Sequence, residues 1–262
     1  MNAIPFFQVD AFAEQRFSGN PAAVMPLERW LPDDVLQAIA AENNLAETAF
    51  TVPLESSAQA DYELRWFTPA VEVALCGHAT LASGHALMEG DSVRFLTRKA
   101  GILEVRRIGP GYELDLPAWE SVPKALPDIV AGMRQEPAKT LWREGGYGLL
   151  VYESEEQVRA LDPDFRMLRD MGNILIIATA PGDKTDIVSR VFAPGAGIDE
   201  DPVTGSAHCL LTPYWAQKLG RDSFTAYQAS ARGGHINCRL AGERALLGGQ
   251  CITVIEGVFF LS

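Results

Sequence analysis

The chain has 262 residues, 47% of them hydrophobic and 21% charged, an ordinary globular composition that excludes wholesale disorder. Its 22 basic and 34 acidic residues leave a formal charge of −12, which speaks against nucleic acid or an anionic membrane as a main partner, since both call for clustered Lys and Arg. No apolar run approaches ~18 residues and the opening MNAIPFFQVDAFAEQ lacks a basic start before an apolar core, so no membrane span or signal peptide is expected and a cytoplasmic protein is.

Taken in order, FFQVDAF alternates and is aromatic-rich, predicting a first strand, and GNPAAVMP predicts a turn and a second. Pro32 with Asp33 and Asp34 behind it is a helix start, and the helix it opens should end near Asn43 and Asn44. ETAFTVP and YELRWFTP read as strands, the second closed by Pro69. From Gly77 the spacing changes to about 3.6, with Leu81, Gly84 or His85, and Leu87 along one side of a helix. Strands follow in SVRFLTRKAGILEVRRIGPGYELDLP, with a turn at Gly109-Pro110-Gly111.

The proline-rich LPAWESVPKALPD is the expected boundary between two halves, residues 1–117 and 118–251, with the last strand, 252–262, able to complete the first half. The second half reads as a strand GLLVYES, one helix around ALDPDFRMLRDMG, strands NILIIAT and DIVSRVFAP, a helix from Gly205, and closing strands through GGHINCRL, RALLGG and CITVIEGVFFL. Gly145-Gly146-Tyr147-Gly148 reads as a loop.

The halves resemble each other. Arg65, Phe67 and Pro69 align with Arg190, Phe192 and Pro194, and Gly77-His78-Ala79 aligns with Gly205-Ser206-Ala207 after a three-residue insertion. A repeat this long points to duplication rather than a solenoid. The order of elements predicts an α+β fold, each half a sheet curled around one apolar helix.

Each Gly-x-Ala corner opens a helix whose first N–H groups have no internal partner, so each is a ready site for an anion, and a small carboxylate held between the two halves is the expected ligand. Near these corners stand three candidate acid–base groups: Glu47, just past a helix and entering an apolar strand, His78 in the first corner, and Asp201 before the second. Cys76 directly precedes a helix N-terminus, which favours a thiolate and a base, although an isolated cysteine is more often a small core residue. Cys209, Cys238 and Cys251 read as core, and no Cys-x-x-Cys spacing occurs, so reduced thiols are expected. His78 and His85 lie seven apart, and His208 and His235 are read as having no ligand partners nearby, so no metal is expected. Nucleotide, P-loop and hydrolase signatures are absent.

VDAF with F-S-GNPAAV, NLAETAF, RWFTPAVEVALCGHATLA and FAPGAGIDEDPVTGSAHCLL with a later ARGG run in order over nearly the whole chain. This set resembles the PhzF-like phenazine-biosynthesis isomerase family, which shares the diaminopimelate epimerase fold, and is most similar to its phenazine-biosynthesis-like-domain members. The resemblance implies two pseudo-symmetric domains, each a β-barrel-like mixed sheet around a central helix, with the active site in the cleft. It implies a homodimeric isomerase without cofactor, in which a glutamate moves a proton between two carbons of a small carboxylate, dihydro-hydroxyanthranilate in the phenazine enzyme. Carried over, that glutamate is Glu47, with His78 and Asp201 as the accompanying acid–base and orienting groups. Gly77, Gly205 and Ser206 would hold the carboxylate, with Cys76 counted among the substrate-binding positions. Where the phenazine enzyme reads Ala-Gly-His, this chain has Cys76-Gly77-His78, and Cys76 falls where diaminopimelate epimerase carries one of its two catalytic thiols. The second thiol position is taken by the Asp201-Pro202-Val203 stretch. The competing readings are an amino-acid racemase or epimerase using Cys76, and a carboxylate- or protein-binding module without turnover.

Overall fold

The computed structural model describes residues 2–54 and 59–261. The chain divides into two compact units, Met1–Leu116 with Gly248–Ser262, and Pro117–Leu247.

The first unit opens with β1 (Asn2–Ala11), β2 (Asn20–Pro26), α1 (Asp33–Asn43), β3 (Glu47–Pro53), β4 (Tyr62–Phe67) and the short β5 (Glu72–Val73). It continues with α2 (Gly77–Leu87), β6 (Ser92–Thr97), β7 (Ile102–Ile108) and β8 (Gly111–Pro117), and is completed by the chain's last strand, β18 (Cys251–Leu261). β18 pairs antiparallel with β1, and β1 with β2. Strand β2 then runs parallel to β3 with α1 as the crossover, and β4 parallel to β6 with α2 as the crossover, since parallel neighbours need a connection longer than a hairpin. Antiparallel pairs β3–β4, β6–β7 and β7–β8 fill in the rest.

The two helices cover opposite needs of this sheet. Leu36, Ile39 and Ala40 of α1 bury against Met25, Phe50 and Phe67, where Phe50 and Phe67 meet edge to face at 5.6 Å. Helix α2 touches β1, β2, β3, β6, β7 and β18, so its surroundings are sheet on nearly every side. The sequence suggested one apolar face, but every residue from Gly77 to Gly84 is buried. A helix enclosed all round must be apolar or self-satisfied, and its two buried hydroxyls obey this: Thr80 Oγ1 donates to the Cys76 carbonyl at 2.5 Å and Ser83 Oγ to that of Ala79 at 2.7 Å.

The second unit comprises β9 (Val122–Pro123), α3 (Pro127–Met133), β10 (Lys139–Arg143), β11 (Tyr147–Val151), α4 (Glu155–Arg159), α5 (Phe165–Arg169), β12 (Leu175–Pro181) and β13 (Ile187–Ala193). After a 3₁₀ turn come β14 (Ile198–Asp201), α6 (Gly205–Leu219), β15 (Ser223–Gln228), β16 (Gly234–Ala241) and β17 (Arg244–Gly249). Its pairings repeat the first unit's: β10–β11 antiparallel, β11–β12 parallel, β12–β13 and β13–β14 antiparallel, β13–β15 parallel and β15–β16 antiparallel. The mixed sheet with α6 as its long helix is therefore the same α+β design twice, and the duplicated motif marks equivalent places in it.

The repeated arginines show why those positions persist. Buried Arg65 grips Glu72 with two parallel bonds of 2.8 and 2.9 Å and reaches Asp33 at 2.9 Å, tying β4 to β5 and to the start of α1. Arg190 grips Glu200 the same way at 2.8 and 2.9 Å, and its third nitrogen takes the Leu161 carbonyl at 2.8 Å beyond α4. A planar fork suits this double duty where a lysine would not.

Some expectations are corrected. Of the helix expected around ALDPDFRMLRDMG only α5, Phe165–Arg169, is helical, starting after Pro163, and a separate short helix, α4, ends just before the stretch at Arg159. Tyr147 and Gly148 belong to strand β11, and only the preceding glycines turn, at φ 99° and 90°. Cys251, expected in the core, is only partly buried at the start of β18.

Packing of α2 generates a test. A methyl at Gly84 would fall 2.5 Å from Val105 Cγ1 and 2.7 Å from its Cβ, on a fully buried β-branched neighbour in β7. The helix-propensity gain of Gly→Ala, about 1 kcal/mol, is opposed by an overpacking cost of about 1–3 kcal/mol. Gly84→Ala is expected to lower the urea midpoint, whereas a raised midpoint would show that the helix has slack against β7.

Candidate active site

Three side chains of the first unit converge at the start of α2. Helix α1 ends on Asn44 in the left-handed conformation (φ 49°), which Asn tolerates, and Asn43 Nδ2 binds Thr48 Oγ1 at 3.1 Å. The chain is thereby delivered into β3 with Glu47 as its first residue, opposite Ala22 in the parallel β2–β3 register. Two residues earlier on β2, Asn20 follows Gly19, whose φ of 68° and approach to the Ala11 carbonyl leave no room for a side chain. His78 is the second residue of α2 and Cys76 its N-cap.

Glu47 Oε2 lies 3.0 Å from His78 Nε2, with side-chain exposures of 13% and 3%. On the other side of the ring, Asn20 Nδ2 is 3.1 Å and Cys76 Sγ 3.5 Å from Nδ1. Nε2 carries a proton toward the carboxylate, and when the ring is doubly protonated the Asn20 amide must turn its oxygen to accept from Nδ1. Burial opposes the imidazolium, but Cys76 Sγ, whose charge counts only where it is ionised, and the Glu47 carboxylate outweigh it and hold His78 well above its ordinary value. Burial foremost, with Glu47's charge second, pushes the Cys76 thiol up to about 11. Near neutral pH Cys76 is therefore a thiol, and Glu47 is the partner that keeps the imidazolium charged. The expected thiolate at the helix N-terminus is overridden, because enclosure of the sulfur and a neighbouring carboxylate act against the helix dipole.

Asp201, Gly205 and Ser206 stand in the second unit, at the start of α6. Asp201 is buried and accepts a hydrogen bond from the Thr204 hydroxyl. Gln228 completes a brace, accepting from Thr204 N at 2.8 Å and donating to the Asp201 carbonyl at 2.7 Å. Neither α2 nor α6 has a capping side chain bonded at its first turn. His208 donates through Nδ1 to the Thr204 carbonyl at 2.8 Å, and burial pushes it down to about 4, so it is a neutral part of this scaffold.

Sequence reasoning missed Asn20, although it stands inside the quoted GNPAAV, because only the folded β1–β2–β3 order brings it to the ring. It also missed Arg143, stacked 3.8 Å over Trp119 and 5.3 Å from Tyr147, beside Ser206. Strand β10, which carries Arg143, gave no separate signal. Nor did spacing reveal that the ligand-type atoms of Glu47, Cys76 and His78 lie within 4.8 Å of one another.

The strand registers also locate each group's counterpart in the other half. Phe50 pairs with Arg65 and Ala178 with Arg190, so Glu47 corresponds to Leu175, the first residue of β12. The helix starts make Thr204 the counterpart of Cys76 and Ser206 that of His78. At these corresponding positions the carboxylate, imidazole and thiol occur in the first half only, the second corner having the Asp201 carboxylate instead.

Because the folded value of His78 is raised above the unfolded one, near 6.5, its pairing adds stability in full below about pH 6.5. That contribution is lost as pH rises through the folded value. In a proton NMR titration His78 is expected to change above the ordinary imidazole range in the wild type and at lower pH in Glu47→Gln, where burial meets less opposition. An unchanged midpoint in the variant would contradict the role given to the ion pair.

No helix among the described residues is long and apolar enough to cross a membrane. The family model of the phenazine biosynthesis-like proteins matches residues 9–257. An uncharacterized isomerase of Pseudomonas aeruginosa is 48% identical over 99% of both chains. A crystal structure of a PhzF-family phenazine biosynthesis protein from Enterococcus faecalis superposes with a TM-score of 0.90 at 40% identity, covering 99% of this chain and 100% of that one. A hydroxyproline epimerase from Agrobacterium vitis, 11% identical with a TM-score of 0.59 over 98% of this chain and 92% of its own, shares the fold alone. Motifs, repeated topology and full-length similarity agree: the chain belongs to the PhzC-PhzF family of phenazine biosynthesis-like proteins.

Proposed function

We propose that this isomerase moves a proton between two carbons of a small carboxylate substrate, with Glu47 as the single general base and acid and no cofactor taking part. The observation that carries the reading is the asymmetry of the duplicated halves, Glu47 against Leu175 and His78 against Ser206. Proton abstraction on one side and donation from the other would call for an acid–base group in both halves; Leu175 can do neither, and Asp201, the carboxylate of the second corner, is engaged by the Thr204 hydroxyl.

Glu47 has the geometry for the task. Among the described residues its Oε2 makes no hydrogen bond beyond the His78 ion pair, so the oxygen can take a proton from carbon and return it. Imidazolium His78 steadies the carboxylate and can donate to an oxygen that gains charge as the carbon is deprotonated. Gly77, Gly205 and Ser206 are proposed to hold the substrate carboxylate through helix N-termini and a hydroxyl, and Asp201 to orient it. Cys76 contributes shape to the wall rather than a base, since its thiol titrates near 11.

The test is proton NMR in D₂O of the purified protein with dihydro-hydroxyanthranilate and a panel of cyclic and amino carboxylates. Isomerisation or carbon-bound deuterium uptake is expected for at least one compound, slowed about 10²–10⁴-fold in Glu47→Gln. Cys76→Ala is expected to lose less than about tenfold. Full loss in the cysteine variant with turnover intact in Glu47→Gln would establish a thiol-based racemase or epimerase instead. A compound that binds without exchange or isomerisation would favour a binding module.

A further inference from the structure

Three side chains of the second unit pack together beside the start of α6. Arg143 and Tyr147 are the closing pair of the β10–β11 hairpin, so their side chains leave the same face of it. The Arg143 guanidinium carbon lies 3.8 Å over the Trp119 ring and 5.3 Å from that of Tyr147, and the two rings meet edge to face at 5.1 Å. Both rings are tied to α6: Trp119 N donates to the Cys209 carbonyl at 2.8 Å, and the Tyr147 hydroxyl is hydrogen-bonded to the Ser206 side chain. The positive charge of Arg143 reaches the same helix, where it opposes the upward push of burial on the Cys209 thiol.

Stacking engages the face of a guanidinium and leaves its N–H groups, which point outward in the plane. Arg65 and Arg190 commit theirs to Glu72 and Glu200. Arg143 does not: among the described residues it has one acceptor, the Glu144 carbonyl at 2.8 Å from Nη1, and no carboxylate partner. A permanently charged fork, mounted on aromatic rings and lacking a counter-ion, fits a planar carboxylate, which takes two parallel N–H bonds. A carboxylate ligand needs a cation there, because the chain carries −12 overall and Asp201 adds a buried carboxylate at the same helix start. We propose that Arg143 is a substrate-binding residue whose guanidinium pairs with the substrate carboxylate beside Ser206, with Trp119 and Tyr147 as its mount. The assignment rests on the carboxylate-substrate reading above and adds the charge that Gly205 and Ser206 lack, so the protein takes acids and rejects their neutral amides.

The substrate carboxylate keeps its charge while a proton moves between carbons, so its partner binds ground and transition states alike. With the carboxylate that turns over, Arg143→Gln is therefore expected to raise KM at least about tenfold while kcat falls far less. Arg143→Lys, which keeps the charge without the fork, should lie between. An unchanged KM in Arg143→Gln, or a loss confined to kcat, would overturn the assignment and leave the isomerase reading standing. A second arm needs neither turnover nor a variant. The wild-type chain is treated with phenylglyoxal, which modifies arginines, and labelling of Arg143 is followed by peptide mass spectrometry in the presence of the panel carboxylates, anthranilate among them, or of their amides. Slower labelling is expected with at least one acid and not with its amide. Labelling unchanged by every acid, or slowed equally by acid and amide, would overturn the proposal. This arm decides should Arg143→Gln lose its folded circular-dichroism spectrum. Acid-selective protection in a protein that turns over no compound would sink the isomerase reading and leave Arg143 as a carboxylate site.

Discussion

The contact between Glu47 and His78 makes the heaviest demand on this fold. A carboxylate and an imidazolium sit 3.0 Å apart where solvent barely reaches either, and withdrawing such ions from water costs several kcal/mol each before their attraction is counted. His78 also lies in the first turn of α2, where the helix dipole disfavours a positive charge. Only a near carboxylate can keep the ring protonated there. The structure supplies it by starting β3 at Glu47, locking the preceding turn through Asn43 and Thr48, and bringing Asn20 to the ring's far side. An ion pair under this much constraint is a poor device for stability and a good one for holding a proton acceptor in a defined place.

The duplicated architecture explains how the site can be costly and the protein still fold. Each unit carries its own mixed sheet, its own long helix and its own arginine fork, Arg65 on Glu72 and Arg190 on Glu200. These shared parts are scaffold. Glu47, Cys76 and His78 cluster in one half, while the other half places Leu175, Thr204 and Ser206 at the corresponding positions. In the second half the corner has become a brace of Asp201, Thr204 and Gln228, which fixes the start of α6 without an acid–base pair.

Much of this was legible in the sequence, for reasons that can be named. The repeat of Arg, Phe, Pro and Gly-x-Ala lies along one dimension, so it can be read without a fold. Strands such as ETAFTVP and the helix bounded by Pro32 and Asn44 carry local signals that tertiary packing did not overrule. Features set by neighbours distant in the chain were not legible. Enclosure of α2 on all sides erased the one-sided pattern read from its sequence. The raised thiol of Cys76 comes first from enclosure and then from Glu47, twenty-nine positions away. Asn20 meets His78 across fifty-eight positions, and Arg143 meets Trp119 across twenty-four. Glu47 was found as a candidate, but its partner was a product of strand register.

The central claim is that one carboxylate both removes and returns the proton. The most direct measurement follows a substrate bearing deuterium at the carbon that loses it, isomerised in ordinary water for a single turnover and analysed for label at the accepting carbon. A single Glu47 base predicts that a measurable fraction of the deuterium arrives there, having been carried across on one oxygen. Complete replacement by solvent hydrogen, with none of the label transferred even at the earliest times, would contradict the account and point to a second group as the proton donor.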